Sequence, residues 1–118
     1  MNSITIDNGK VDVSISVLTF REGDTYIVHC PSLDISGYDR TEELARADFG
    51  FMLRDWLTTQ LANGTLADDL TRHGWRTSGS SWREPSLAHI ASRRRTVSSL
   101  ISRSDYSKQN FSIAITCS

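Results

Sequence analysis

The sequence predicts an α+β fold: an antiparallel β-meander, one long helix, a short second helix and a C-terminal strand. Three observations predict it. Val11, Val13, Ile15 and Val17 alternate with Asp12, Ser14 and Ser16, the period-two pattern of a half-buried strand. Between Thr41 and Gly64 the apolar residues recur at three-and-four spacing, the pattern of an amphipathic helix. Phe111, Ile113, Ile115 and Cys117 alternate with Ser112, Ala114 and Thr116, a second strand signature at the far end.

Residues Ile4 to Gly9 read as a short extension of the sheet, with Asn8-Gly9 as its turn. In the strand from Val11, Leu18 and Phe20 add apolar bulk to the opposite face. The polar Arg21 to Asp24, with Gly23, turns the chain. Thr25 to Cys30, rich in β-branched and aromatic residues, is the return strand. Pro31 and Ser32 interrupt it, and Leu33 to Tyr38 forms the third meander strand.

Thr41 is placed to cap the long helix, and Glu42 and Glu43 suit the positive end of its dipole. Ala45, Phe49, Met52, Leu53 and Trp56 are expected on its buried face, with Phe51 and Leu57 offering a second packing surface. Asn63 and Gly64 end it. Thr65 is expected to cap a second helix that buries Leu66, Ala67 and Leu70 against the first and ends at Gly74. Arg76 to Glu84, rich in Ser and Gly, reads as a loop, Pro85 to Ile90 as a turn or one helical turn, and Thr96 to Arg103 as a short helix. The final strand is expected to join the same sheet or to pair with a second subunit. Residues 1–75 form the core of this organisation, and 76–118 complete the same domain.

A chain of 118 residues can bury a core without metals or disulfides. Its net charge of −1 gives the whole molecule no electrostatic case for nucleic acid. The charge is segregated, however. Up to Arg40 the acids Asp7, Asp12, Glu22, Asp24, Asp34 and Asp39 face only Lys10, Arg21 and Arg40. From Arg83 to Lys108 the bases Arg83, Arg93, Arg94, Arg95, Arg103 and Lys108 face Glu84 and Asp105. An acidic front suits a basic protein partner. No leader-like segment and no membrane-length apolar run is present, so a cytoplasmic location is expected, with Cys30 and Cys117 as reduced, buried residues.

The run from Tyr26 through Cys30-Pro31-Ser32-Leu33, Ser36-Gly37-Tyr38-Asp39 and Thr41-Glu42-Glu43-Leu44-Ala45 to Phe49 resembles the HicB-like antitoxin family. The likeness spans roughly Val11 to Trp75. Gly37 followed by Thr41, Glu43 and Ala45 is similar to the family's strand-to-helix junction. The resemblance implies a partial RNase H-like β-β-β-α fold. It also implies sequestration of a small basic HicA-type toxin, an mRNA-cleaving endonuclease. Residues 76–118 depart from the family pattern, carrying neither a ribbon-helix-helix nor a helix-turn-helix for operator DNA.

No catalytic motif stands in the chain, so the expectation is a binding protein without cofactor or metal, not an enzyme. Asp34, Asp39, Glu42 and Glu43 are the candidate contacts for a basic partner, and Trp82 a candidate interface anchor. Two-metal chemistry needs converging carboxylates, which a loop, a cap and a helix face give no reason to expect. His29 and Cys30, adjacent in a strand, point to opposite faces and cannot share a metal. Arg93, Arg94 and Arg95 are the candidate nucleic-acid contacts, without the interleaved aromatics that stack bases. The alternative reading is a small nucleic-acid-binding module built on them, or a non-catalytic homo-oligomeric RNase H-like relative.

Overall fold

The computed structural model describes residues 2–94 and 105–116. The elements run β1 (Ser3–Asp7), β2 (Lys10–Glu22), β3 (Thr25–Cys30), β4 (Ile35–Asp39), α1 (Glu42–Asn63), α2 (Leu66–Arg72), β5 (Arg76–Ser78), β6 (Ser81–Arg83), α3 (Leu87–Arg93) and β7 (Ser107–Thr116). All seven strands join one antiparallel sheet, so the fold is α+β.

β2 is the spine of that sheet. β1 pairs with Lys10 to Ser14 and β3 with Leu18 to Glu22, end to end along one edge. β7 pairs with Lys10 to Thr19 along the other edge. β4 continues outward from β3, and β6 then β5 from β1. The final strand therefore joins the same sheet, and its second edge pairs with no strand among the described residues.

The turns follow from their residues. Asn8 and Gly9 both have positive φ (48° and 75°), as a two-residue hairpin matched to strand twist requires. Thr41 caps α1 through a hydrogen bond from the Leu44 amide (3.1 Å), worth about 1 kcal/mol. At the other end Gly64 is left-handed and the Thr65 amide donates back to the Gln60 carbonyl (3.0 Å), closing the helix.

α1 lies on β3 and β4 and buries Ala45, Phe49, Leu53 and Leu57, a clean stripe of one residue every four. This stripe meets Val11, Val13, Ile15, Val17, Val28, Phe111 and Ile115 from the sheet. The rings of Phe49 and Phe111 meet edge to face at 5.0 Å.

The structure corrects several expectations. Met52 is exposed, because the buried stripe runs every fourth residue from Ala45 to Leu57 and passes it by, and Ala67 of α2 is exposed as well. The third meander strand starts at Ile35, because Cys30 to Asp34 form a turn in which the Asp34 amide donates to the Cys30 carbonyl. Thr65 makes no side-chain cap; its hydroxyl donates to the Gln60 side chain. Residues 76–84 are not a loop but carry the β5–β6 hairpin. Their two-residue Gly79-Ser80 turn is a hairpin signature, obscured by three-residue polar strands too short to show alternation. Pro85 to Ile90 leads into α3, capped by Ser86. The helix expected over Thr96–Arg103, and Cys117, lie outside the described residues.

Candidate partner-binding surface

Gly37 fixes how α1 sits on the sheet. A Cβ there would fall 2.3 Å from the Phe49 nitrogen and 2.5 Å from its Cα, so only glycine lets the helix backbone come this close. The preceding residue, Asp48, accepts a hydrogen bond from the Tyr38 amide (3.0 Å). That bond occupies a donor on the outer edge of β4 and blunts it against pairing.

The close seating turns the opposite side of α1 to solvent. Leu44 is 50% exposed, Phe51 70% and Met52 43%. Leu44 and Phe51 lie seven residues apart, on one helix face. These three, with Tyr38, are the exposed large hydrophobics among the described residues, so the apolar exposure is concentrated rather than scattered. Glu42 and Glu43 are exposed in the first turn beside Leu44, and Asp39 sits just before the cap with its carboxylate on the Arg40 amide (2.7 Å). The surface is therefore apolar, with carboxylates gathered at its N-terminal end and the exposed Arg40 and Arg54 beside it.

Of the acidic candidates, the fold groups Asp39, Glu42 and Glu43. Asp34 lies at the other end of β4, about 17 Å away at 3.3 Å per strand residue. It adopts a left-handed φ of 58° and pairs with Arg94 (3.7 Å). Trp82 is not an exposed anchor: it lies in β6 opposite Ile4 and packs half-buried against the core. Arg93 is exposed in the last turn of α3. Arg94 ends that helix and donates to the Pro31 carbonyl. Arg95 lies outside the described residues.

Sequence reasoning passed over a second polar cluster. β1 and β3 leave a gap beside Ser16 on the β2 edge, and Glu84 fills it. Its carboxylate accepts the Ser16 amide (3.1 and 3.2 Å), the Asn2 side-chain amide (3.0 Å) and the Ser32 hydroxyl (2.5 Å). Glu84 thus substitutes for a missing strand neighbour. Cys30 lies beside it, and burial above all pushes its thiol up to about 12, so it stays protonated and unreactive near neutral pH. No group of three or more His, Cys, Asp or Glu side chains among the described residues is arranged to hold a metal ion.

Comparison with protein-family models, curated proteins and solved structures found no match. Among the described residues, no helix is long and apolar enough to cross a membrane.

Proposed function

We propose that this chain is a HicB-like antitoxin or a solitary relative, acting in the cytoplasm without chemistry of its own. It would hold a small basic HicA-type toxin against the outer face of α1. The observation that carries the reading is the juxtaposition of Leu44, Phe51 and Met52 with the carboxylates of Asp39, Glu42 and Glu43. An apolar surface with an acidic end gives a basic protein both buried area and electrostatic steering.

The β2–β3–β4–α1 order supports the same reading. So does the use made of the resembling residues: Gly37 beneath the helix, Thr41 as cap, Glu43 in the first turn and Ala45 fully buried.

The test starts with the tagged protein isolated from its native host and mass spectrometry of what co-purifies. A small basic protein in stoichiometric amount is expected. Titration of that partner should then show at least ten-fold weaker binding for Phe51→Ser and for the Glu42→Lys/Glu43→Lys double variant. Affinities equal to that of the unmodified chain would exclude this face.

A further inference from the structure

A recess of about 160 Å³ lies between the end of α2 and α3, lined by Arg72, His73, Gly74, His89, Ile90, Arg93 and Arg94. Five of these seven residues carry basic nitrogens, and among the described residues no carboxylate lines the recess. The residues come from two segments, 72–74 and 89–94, which meet where Gly74 (φ 91°) lies beside Pro85 and His89.

The basic groups differ in how far they are committed. Arg94 is held by Asp34 and the Pro31 carbonyl. His73 is held by the Asp69 carbonyl (Nδ1 to O, 2.8 Å) and lies 3.5 Å from its carboxylate. Arg72 touches Asp69 loosely at 3.9 Å and is largely exposed. Arg93 and His89, one turn apart on α3, have no side-chain partner among the described residues. At the end of α2 the carbonyls of Asp69, Leu70 and Thr71 are already occupied, accepting from the amides of His73, Trp75 and Gly74 respectively.

We propose that this recess binds a single phosphate group, with Arg93 and His89 as its principal ligands and Arg72 at the rim. Arginine presents a planar fork of N–H donors matched to phosphate oxygens, and charge-assisted bonds of this kind are the strong ones. Donors converging from two elements suit a tetrahedral oxyanion, whereas a planar carboxylate needs only one fork. Size decides between a phosphate and a longer ligand: about 160 Å³ is room for one benzene-sized group. It is not the extended groove that follows a nucleic-acid strand.

The experiment is calorimetric titration of the full chain at low ionic strength with inorganic phosphate, a nucleoside 5′-monophosphate and a ten-nucleotide single-stranded RNA. Saturable one-to-one binding of phosphate is expected, at least ten-fold weaker in Arg93→Gln and in His89→Gln. Arg54→Gln, an exposed arginine on α1, should bind as the unmodified chain does. Urea midpoints of the variants establish that each is folded. Equal binding of phosphate and the nucleotide identifies a terminal phosphate as the recognised group and supports the proposal. No saturable phosphate binding, or equal loss in Arg54→Gln, overturns it. So does RNA binding that is tighter than phosphate and indifferent to Arg93→Gln.

Discussion

Gly37→Ala adds one methyl group and should unseat the main helix. The new Cβ would lie 2.3, 2.5 and 2.9 Å from the Phe49 nitrogen, the Phe49 Cα and the Asp48 carbonyl carbon. Ordinary contact starts near 3.4 Å, so α1 must lift by roughly 1 Å. All three atoms are helix backbone, tied by their own hydrogen bonds and by the Asp48 carboxylate on the Tyr38 amide, so no side chain can swing aside.

A radial gap of 0.5–1 Å forfeits a quarter to a half of each dispersion contact. That loss is spread over Ala45, Phe49, Leu53 and Leu57, all fully buried. Overpacking of a side chain costs about 1–3 kcal/mol, and overpacking against backbone belongs at the top of that range, about 3 kcal/mol. With a urea slope of about 1.5 kcal/mol/M the midpoint should fall by about 2 M. Gly23→Ala is the control. Gly23 has a φ of 60° and open space around it, so its cost is purely conformational, about 1 kcal/mol. Urea unfolding followed by tryptophan fluorescence reads both. A Gly37→Ala midpoint no lower than that of Gly23→Ala would refute the close-approach argument.

Glu84→Ala should cost about 2–3 kcal/mol by urea unfolding, since it strips the acceptor from the Ser16 amide, the Asn2 amide and the Ser32 hydroxyl; Glu84→Gln, keeping one oxygen, should cost less. His29 should make the fold acid-sensitive. Burial lowers its pKa, with Asp34 opposing and Arg94 assisting, so below the ordinary value of 6.5 the unfolded chain takes up a proton that the folded chain resists. Stability should therefore drop as pH falls from 7.5 to 5.5. His29→Asn should flatten that drop, and an equal drop in both would remove His29 as its source.

The elements with strong periodicity or paired caps were legible in the sequence. Thr25 to Cys30 is β3 residue for residue, and Thr41 and Gly64 bracket α1 as their chemistry requires. Ala45, Phe49 and Leu53 are buried as the periodicity implies, but Met52 is not and Leu57 is, because α1 carries apolar residues all around. Periodicity alone could not say that Met52 and Phe51 face solvent while Leu57 faces the sheet. Those same two residues, surplus to the stripe, were the available signal for a docking face. The role of Glu84 was invisible, since it depends on β1 and β3 stopping short of each other along β2, a fact of register rather than of composition. The recess basic residues were equally hidden: Arg72 and Arg93 come to line one recess only once the chain has folded back after Gly74.

The acidic front and basic tail of the chain meet at one ion pair, Asp34 with Arg94, and this bears on whether two ligands could interfere. Asp39, Glu42 and Glu43 gather at one end of β4, while Asp34 stands at the other, where it meets Arg94. That ion pair leaves one end of the strand acidic and the recess beyond the other end basic. A basic protein on α1 and a phosphate between α2 and α3 would therefore use disjoint residues, and sites so separated contribute independently unless a two-state element joins them. β4 is a poor candidate for such an element. It is held by β3 along one edge, by Asp48 at Tyr38 on the other, and by the backbone of α1 above Gly37. Occupying the recess should consequently leave affinity at the α1 face unchanged.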